Sequence, residues 1–301
     1  MKKVLITGGS GTVGTAFIRK YYDLYEFYNL SRNETHIAEL KNNFPKVKSF
    51  IGDICNLEHL ISIFERVRPN IVIHAAALKH INLAEENPTK TVEINIDGSL
   101  NVIKASIRAQ IPITIGVSTD KACNPDSVYG YTKRMMERLF MEHHNEKTKF
   151  ICVRFANVAN SNGSVIPFWK KLAKENKSLK LTDPNMNRLM FSTEASAELI
   201  HNSYLYSLEI ADPFILSNIM KTVNLFDLAK VISDDIEIVG SRPGEKLNET
   251  LVSKKELPYT KVEGSHVFIY DKIKEDNNLK ESHSSLTAEK MSIKEMKKLI
   301  G

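Results

Sequence analysis

A glycine-rich loop directly after a short apolar strand is the feature that most restricts how this chain folds. The segment Val4-Leu5-Ile6-Thr7 is typical of a strand, and it runs straight into Gly8-Gly9-Ser10-Gly11-Thr12-Val13-Gly14. Glycines three apart allow a tight turn, close approach of the backbone to a diphosphate and close packing of the next helix on the strand. The loop therefore predicts a dinucleotide site at a helix N-terminus, formed by Thr7, Gly8, Ser10, Gly11, Thr12, Val13 and Gly14.

Short β-branched runs alternate with helical patterns from residue 3 to about residue 154. Strands are predicted at 3–7, 26–30, 47–51, 70–75, 111–118 and 149–154. Helices are predicted at 13–22, 34–42, 57–67, 87–110 and 129–145. This alternation indicates an α/β fold, a Rossmann-type doubly wound parallel sheet over residues 1–154 that carries the dinucleotide site and the catalytic residues.

After Arg154 the alternation stops, and a glycine- and asparagine-rich stretch follows. Further helices are predicted at 167–176, 193–208, after Asn224 and at 292–300, with a polar surface segment at 274–286. No Gly/Ser/Pro-rich linker divides the two halves. Residues 155–301 are therefore predicted to form a smaller substrate lobe packed on the sheet, and not an independent domain.

Composition excludes several classes of function. The formal charge is +5, but the basic residues are scattered among acidic ones, so no nucleic-acid surface is expected. Cys55, Cys123 and Cys152 are widely spaced without a Cys-x-x-Cys pair, which predicts reduced thiols and no metal site. The apolar run after Met1 is too short for a signal peptide or a membrane span. We expect a cytoplasmic protein with no membrane partner.

The end of the second strand predicts which dinucleotide binds. An NAD site usually has an acidic residue here, whereas this chain has Ser31-Arg32. Arg32 suits the 2′-phosphate of NADP, although an ordinary solvated arginine is the alternative. Asp53 and Ile54 are expected to flank the adenine. Ala75, Ala76 and Ala77 are expected to form a ledge along the dinucleotide, or simply to pack against a helix.

Tyr129 and Lys133 are the first candidate catalytic pair. They lie four apart at the start of a predicted helix and so share one face. A lysine ammonium beside the phenol is expected to lower the tyrosine pKa from about 10 toward neutrality. The tyrosinate would then take a hydroxyl proton while hydride leaves for a nicotinamide. Thr119, at the end of the fifth strand, is expected to contact the substrate hydroxyl from which that proton is taken.

Asp120 and Lys121 indicate chemistry beyond hydride transfer. A 4-epimerase or a reductase needs only the tyrosine, the lysine and the Ser/Thr hydroxyl, because hydride leaves and returns at one carbon. Removing water from a hexose needs more. Once C4 has become a ketone, a base must take the C5 proton and an acid must protonate the departing C6 hydroxyl. Lys121 as base and Asp120 as acid supply that pair. An exposed ion pair in a loop is the alternative.

The glycine loop resembles the T-G-x-x-G-x-x-G loop of extended short-chain dehydrogenase/reductases. The chain is similar in particular to the soluble UDP-N-acetylglucosamine 4,6-dehydratases that invert C5 and act in polysaccharide, capsule and flagellin-glycan biosynthesis. The matching segments include Ser118-Thr119-Asp120-Lys121-Ala122-Cys123-Asn124-Pro125, Tyr129-Gly130-Tyr131-Thr132-Lys133, His74-Ala75-Ala76-Ala77-Leu78-Lys79-His80 and Arg242-Pro243-Gly244-Glu245-Lys246-Leu247.

The resemblance implies a nucleotide-sugar site formed by Lys79, His80, Asn157, Ser164, Val165, Pro167, Arg188, Arg242 and Glu245. Two arginines suit a diphosphate, and a carboxylate suits ribose hydroxyls. The chain departs from the family at Asn162, where an arginine is usual, and at Tyr131, where an alanine is usual. Related dehydratases that retain C5 carry an N-terminal membrane region. Its absence here favours inversion.

These features together predict an NADP-dependent lyase that converts UDP-N-acetylglucosamine to a 4-keto-6-deoxy sugar nucleotide. A nucleotide-sugar 4-epimerase or C4 reductase is the second interpretation, and a non-catalytic NADP-binding regulator is the third. A homo-oligomer is also expected through the helices near 87–110 and 129–145, with the protein core as the alternative for their apolar residues. Those residues are Val92, Ile96, Leu100, Met135, Met136, Leu139 and Phe140.

Overall fold

The computed structural model describes residues 1–240 and 244–301 of the chain. In the first half the strands are β1 (Lys2–Thr7), β2 (Tyr25–Ser31), β3 (Lys48–Ile51), β4 (Ile71–His74), β5 (Ile113–Thr119) and β6 (Lys149–Phe155). The helices are α1 (Thr12–Tyr21), α2 (Glu34–Asn43), α3 (Leu57–Val67), α4 (Ile81–Glu86), α5 (Pro88–Val92), α6 (Gly98–Arg108) and α7 (Val128–His143). A π-helical turn covers Glu93–Asp97, and a 3₁₀ turn covers Asp120–Ala122.

The second half contains short strands and four further helices among the described residues. The strands are β7 (Asn157–Val158), β8 (Leu179–Leu181), β9 (Asn187–Phe191), β10 (Phe214–Asn218), β11 (Thr222–Asn224), β12 (Ile236–Ile238), β13 (Thr250–Val252), β14 (Thr260–Glu263), β15 (His266–Tyr270) and β16 (His283–Ser284). The helices are α8 (Val165–Lys174), α9 (Thr193–Glu209), α10 (Leu225–Lys230) and α11 (Ile293–Ile300), and a 3₁₀ turn covers Lys254–Tyr259.

A nine-stranded sheet in the order β14-β15-β10-β6-β5-β4-β1-β2-β3 forms the centre of the molecule. The seven strands from β10 to β3 pair in parallel, whereas β15 and β14 are antiparallel. The order β3-β2-β1-β4-β5-β6 is that of a Rossmann fold, so the predicted fold class is confirmed. The sheet continues past residue 154 into β10, β15 and β14, three strands that the sequence analysis did not predict.

Both faces of the sheet are covered, because alternate residues of each strand point to opposite sides. On one side Ile6 packs with Phe17 of α1 and Leu199 of α9. On the other side Leu5 packs with α3 and α6, and Phe140 of α7 packs on β6. The second half also has a core of its own around Trp169, α10 and α11. The described helices are all too short or too polar to span a lipid bilayer.

The predicted continuous helix at 87–110 is wrong. Pro88 begins α5 at the point where α4 ends, because proline lacks the N–H that a continuing helix would need. The π-helical turn then widens the spiral before α6 begins at Gly98. The surface segment predicted at 274–286 is also partly wrong, since His283 and Ser284 are buried and pair with β13. Most of the other predicted helices and strands lie within two residues of their observed bounds.

A fully buried arginine joins the two halves of the chain. The five N–H groups of Arg154 are all used: they donate to both carboxylate oxygens of Glu137, to both oxygens of Glu256 and to the Leu251 carbonyl, over 2.8–3.1 Å. Ser118 on β5 also donates to Glu137, over 2.7 Å. One guanidinium therefore holds α7, β6, the end of β5 and the segment around β13 together.

Candidate active site

A cavity of about 700 Å³ opens at the carboxyl ends of the parallel strands. This is where open α/β sheets bind ligands, because the loops there converge from several strands. Residues from the ends of β1, β2, β4 and β5 line it together with the start of α7 and residues just beyond β6. The predicted cofactor end and the predicted chemical site therefore share one cavity.

Two glycines of the loop lie where the surrounding backbone leaves no room for a side chain. Gly8 has a φ of +74°, and a Cβ atom there would lie 2.9 Å from the backbone nitrogen of Ala76. A Cβ on Gly14 would lie 2.5 Å from the Cα of Gly9. The N-cap residue of α1 is Gly11, which has no side chain to bond the first N–H groups of the helix. The first turn contains no acidic residue. This backbone suits the diphosphate of a dinucleotide at a helix N-terminus.

The other predicted cofactor residues lie along the same cavity, with one exception. Thr7 is fully buried, and its Oγ1 lies 2.8 Å from His74 Nδ1 instead of facing the cavity. The lining residues that were predicted are Gly8, Ser10, Gly11, Thr12, Val13, Gly14, Ser31, Arg32, Asp53, Ile54, Ala75, Ala76 and Ala77. Asn33 and His36 also line this end and were not predicted.

Arg32 lies at the open end of this cavity. Its Nη1 atom is 3.3 Å from Asp53 Oδ2, and both side chains are substantially exposed, at 56% and 36%. An exposed pair of this kind contributes little to stability, so the guanidinium is free to move to an anionic ligand at low cost. No acidic residue follows β2 directly, since Ser31, Arg32 and Asn33 occupy those positions.

Tyr129 and Lys133 are both buried and both line the cavity, as predicted. The expected pKa effect is wrong for the protein alone, because burial raises the pKa of Tyr129 to about 12. The cation that acts against this shift is Lys121, with a smaller contribution from the Thr119 hydroxyl. Lys133 donates instead to the Val117 carbonyl over 2.7 Å, and burial lowers its pKa to about 8.

Asp120 and Lys121 are not an exposed loop pair. Lys121 Nζ lies 3.0 Å from Asp120 Oδ1, and the two side chains are only 15% and 0% exposed. Thr119 Oγ1 donates to the same Asp120 oxygen over 2.9 Å. Asp120 Oδ2 is buried without a hydrogen-bond partner among the described residues. Thr119 and Lys121 line the cavity, whereas Asp120 lies behind them.

Glu249 is a third acidic residue at this cluster, and the sequence analysis missed it. Its Oε1 lies 3.5 Å from Lys121 Nζ, its side chain is 5% exposed, and it is not among the residues that line the cavity. Burial raises the pKa of Glu249, against the opposing effect of Lys121. Burial also disfavours the charge of Lys121, but Asp120 and Glu249 outweigh it and raise the pKa of that ammonium above its ordinary value.

Two loops that line the cavity meet around Lys79 and Asn162. Lys79 Nζ donates to the Asn162 carbonyl over 2.7 Å, and the Asn162 backbone N–H donates to Thr12 Oγ1 over 3.0 Å. His80 packs on Gly163, where a Cβ would lie 2.7 Å from the imidazole. Asn157 Oδ1 accepts from Lys121 over 3.4 Å. Lys79, His80 and Asn157, three of the predicted substrate residues, thus line the cavity.

The other predicted substrate residues that the structure describes are not among the residues that line the cavity. Ser164 precedes α8, and its Oγ is buried without a partner among the described residues, while Val165 and Pro167 belong to the first turn of that helix. Arg188 is buried and donates to the Asn187 and Leu247 carbonyls. Glu245 lies in the segment that leads to Glu249. Arg242 lies outside the described residues.

Asn95 is another residue that the sequence analysis missed. Its side chain bonds both the N–H and the carbonyl of Leu78, over 2.8 and 3.0 Å, and donates to Thr132 Oγ1 over 3.0 Å. It therefore fixes the loop that carries Lys79 against the helix that carries Tyr129. A lone asparagine in an apolar helical pattern gives no local signal of such a role.

The family model described as "Polysaccharide biosynthesis protein" matches residues 4–300 of the chain. A UDP-N-acetylglucosamine 4,6-dehydratase (inverting) from Campylobacter jejuni is 36% identical over 273 residues, which is 86% of this chain and 80% of that protein. A UDP-glucose 4-epimerase from Rickettsia bellii is 33% identical over 274 residues, or 85% and 79% of the two chains. Similarity in sequence therefore extends to proteins named for two different reactions.

Solved structures agree on the fold. The X-ray structure of Pen from Bacillus thuringiensis superposes with a TM-score of 0.91 at 30% identity, covering 99% of this chain and 96% of the other. DesIV, a dTDP-glucose 4,6-dehydratase from Streptomyces venezuelae solved with NAD bound, has a TM-score of 0.72 at 19% identity, with 81% and 86% covered. At that identity the likeness demonstrates the shared fold alone.

Lys133 offers a test of the site's electrostatics. Its folded pKa of about 8 is below its ordinary value of 10.5, so folding disfavours the ammonium. Lys133→Met should raise the free energy of unfolding at neutral pH by about 1–3 kcal/mol, because a buried cation is removed. In the wild type, the free-energy cost of the buried ammonium is present in full below the folded pKa of Lys133. This cost disappears as pH rises through the pKa of the unfolded state, so the gain in stability of Lys133→Met should vanish in alkali.

Urea unfolding of both proteins across this pH range measures the effect. Lys104→Met, a change at an exposed lysine of α6, is the control and should alter stability little at any pH. A loss of stability in Lys133→Met at neutral pH would contradict the account.

Proposed function

We propose that this chain, which belongs to the polysaccharide biosynthesis protein family, converts UDP-N-acetylglucosamine to UDP-2-acetamido-2,6-dideoxy-4-keto-hexose with inversion at C5. The observation that carries the proposal is the buried Asp120–Lys121 pair beside Tyr129. A reaction in which hydride leaves and returns at one carbon uses Tyr129, Lys133 and Thr119 but has no chemical role for Asp120 and Lys121. Elimination of water across C5 and C6 uses both residues.

The first step is oxidation of the sugar at C4. Tyr129 takes the proton of the C4 hydroxyl, and Thr119 and Lys133 hold the phenol and the sugar in place. When bound, NADP supplies the hydride acceptor for C4, the hydride donor for C6 and a positive charge beside the phenol. That charge acts in the same direction as Lys121, against the burial that raises the pKa of Tyr129 in the protein alone.

Elimination follows because the C4 ketone makes the C5 hydrogen acidic. Lys121 lines the cavity and takes the C5 proton, while the C5–H electron pair forms the C5–C6 double bond and the C6–O bond breaks. For the leaving group, Asp120 must first carry a proton: Thr119 gives its hydroxyl proton to the departing C6 oxygen and takes the Asp120 proton in its place, along the contact that already joins Thr119 Oγ1 to Asp120 Oδ1, so that water leaves and Asp120 becomes a carboxylate. Inversion requires that a new proton reach C5 from the opposite face.

NADP is the form of the nicotinamide dinucleotide that we propose. The support is Arg32 at the end of the cavity, together with the absence of an acidic residue directly after β2. A guanidinium binds a phosphate through paired hydrogen bonds, which a ribose hydroxyl cannot match. Since the hydride returns to the sugar, the cofactor is not consumed.

A nucleotide-sugar 4-epimerase is the second candidate, favoured by the relatedness to the Rickettsia bellii protein. It would return hydride to C4 and leave the C5 proton in place. We prefer the dehydratase because Lys121 lines the cavity and is paired with two buried carboxylates, Asp120 and Glu249, which a 4-epimerase would not use.

Lys121→Ala tests the function through its base. In D₂O the wild-type protein with NADP and UDP-N-acetylglucosamine should form a 4-keto-6-deoxy sugar nucleotide with deuterium at C5 in inverted configuration. The variant should lose product and C5 exchange by about 10²- to 10⁴-fold, the usual effect of removing a general base. NMR of the sugar follows both. Undiminished turnover in the variant would refute the mechanism, and a retained C5 configuration would remove inversion alone.

Arg32→Ala tests the cofactor form. NADP should bind about 10- to 100-fold more weakly, since a charged paired contact contributes about 1.5–3 kcal/mol, while NAD should be affected much less. Titration calorimetry with each dinucleotide measures the difference. Arg108→Ala, at an exposed arginine paired with Glu65 far from the cavity lining, is the matched control. Equal losses for NADP and NAD would contradict the assignment.

We also propose a homo-oligomer in the cytoplasm, paired through α7 and the region around α5 and α6. Val92, Tyr131 and Met135 expose 41%, 59% and 48% of their surface, whereas Met136 and Phe140 belong to the core. Cys55, Cys123 and Cys152 are unpaired, which supports a reducing compartment. Light scattering should give a multiple of 34.1 kDa. The mass of a single chain at every micromolar concentration would exclude the oligomer.

A further inference from the structure

We propose that Glu249 takes the ammonium proton of Lys121 and so releases the amine that acts as base at C5. The inference rests on the proposed dehydratase function and adds a positioning residue to it. The geometry that supports it is the contact of Glu249 Oε1 with Lys121 Nζ, over 3.5 Å, at the back of the cavity. Contacts between catalytic groups are often longer in a protein without its ligands and shorten when substrate binds.

Lys121 needs a proton acceptor because its resting form is the wrong one for a base. Among the residues that the structure describes, three oxygen atoms lie close to its Nζ: Asp120 Oδ1 at 3.0 Å, Asn157 Oδ1 at 3.4 Å and Glu249 Oε1 at 3.5 Å. Burial disfavours the ammonium, but the two carboxylates keep its pKa above the ordinary lysine value. An ammonium has no lone pair with which to take a proton from carbon. The proton must first move to a neighbour.

Glu249 suits that transfer better than Asp120 does. Asp120 Oδ1 already accepts from the Thr119 hydroxyl, which links it to the leaving group. Glu249 faces Lys121 and Asp120 of the 3₁₀ turn, Arg188 of β9 and Lys246 of its own segment. Burial and the Asp120 charge raise the pKa of Glu249 against the effect of the three cations. A carboxyl in this position holds a proton readily.

The side chain of Glu249 is not needed to hold the backbone in place. The Glu249 N–H donates to Ser285 Oγ over 3.0 Å, and the Ser285 N–H donates to the Glu249 carbonyl over 2.8 Å. The next residues form β13, which pairs with β16. The main chain is thus fixed independently, and Glu249→Gln should fold because the amide keeps the size and polarity of the carboxyl.

The transfer is balanced in atoms and charge. One N–H bond of Lys121 breaks and an O–H bond forms on Glu249, so an ammonium and a carboxylate become an amine and a carboxylic acid. The number of protons on the pair does not change. The neutral pair presents less charge to a cavity from which bound substrate excludes water. The amine then takes the C5 proton as described above.

The pH dependence of kcat/KM in Glu249→Gln tests this. In the wild type the active form carries one proton on the pair, so the acidic limb reports the Glu249 carboxyl. In the variant the amine must lose its proton to solvent, so the acidic limb should move to the much higher pKa of Lys121. Activity at neutral pH should fall about 100-fold or more and then rise about tenfold per pH unit in alkali.

Two further variants and one further readout separate the outcomes. Glu249→Asp keeps a carboxyl and should keep an acidic limb near that of the wild type. Glu289→Gln, the same change in an exposed ion pair with Lys221, should match the wild type throughout. The absorbance of reduced cofactor in a single turnover should still appear in Glu249→Gln, because C4 oxidation does not use this proton, while C5 exchange in D₂O is lost.

An acidic limb that moves to lower pH would overturn the proposal, because Glu249 would then be only a counter-charge that holds Lys121 protonated. A loss of activity equal at every pH would also overturn it and leave a structural role. Failure of the dehydratase function itself is distinguishable, since the wild type would then form no 4-keto-6-deoxy product.

Discussion

The active site depends on one buried arginine. Arg154 bonds Glu137 of α7, Glu256 of the 3₁₀ turn after β13 and the Leu251 carbonyl, with all of its N–H groups used. Glu137 lies two turns beyond Tyr129 and one beyond Lys133, so these side chains share one face of α7. The same network reaches Ser118, next to Thr119. Residues from three distant parts of the chain are thereby held in register.

Such a network is stable only as a complete set. Arg154 outweighs burial and lowers the pKa of Glu256 to about 2, so that carboxylate is charged at physiological pH. Removing one partner from a buried ion pair typically costs about 3–5 kcal/mol, because the remaining charge is uncompensated. Lys133 contrasts with this arrangement, since its direct contacts are the Val117 carbonyl and the Met136 sulfur. Lys133 has no ion pair among the described residues, and burial lowers its pKa, an effect that Cys152 and Glu137 only partly offset.

Much of the first half of the chain could be predicted from the sequence, because its signals are local. Glycine spacing, β-branched runs and helical caps act within a few residues, so the six strands up to β6 and the cavity end around Gly8 were predicted within about a residue or two. The helix at 87–110 failed because its apolar spacing continues through Pro88 and the π-helical turn. The pattern of burial there is regular although the backbone is not.

The second half and part of the site depend on contacts that no local pattern records. β10 pairs with β6 from 63 residues away, and β14 and β15 add antiparallel strands to a sheet whose sequence pattern predicts parallel strands. Glu249 is 128 residues from Lys121, and Asn95 fixes a loop through a single amide. Such polar residues look like ordinary surface residues until the fold buries them. Thr7 was likewise predicted to contact the cofactor, but the fold buries its hydroxyl against His74.

In the proposed reaction, hydride leaves C4 of the sugar and returns to C6. UDP-N-acetylglucosamine that carries deuterium at C4 tests it directly when incubated with the protein and unlabelled NADP, with the product examined by NMR. The account predicts that the deuterium lies at C6 of a 4-keto-6-deoxy sugar, transferred within one active site. Deuterium that is still at C4 would contradict the account, and an inverted C4 configuration would identify an epimerase.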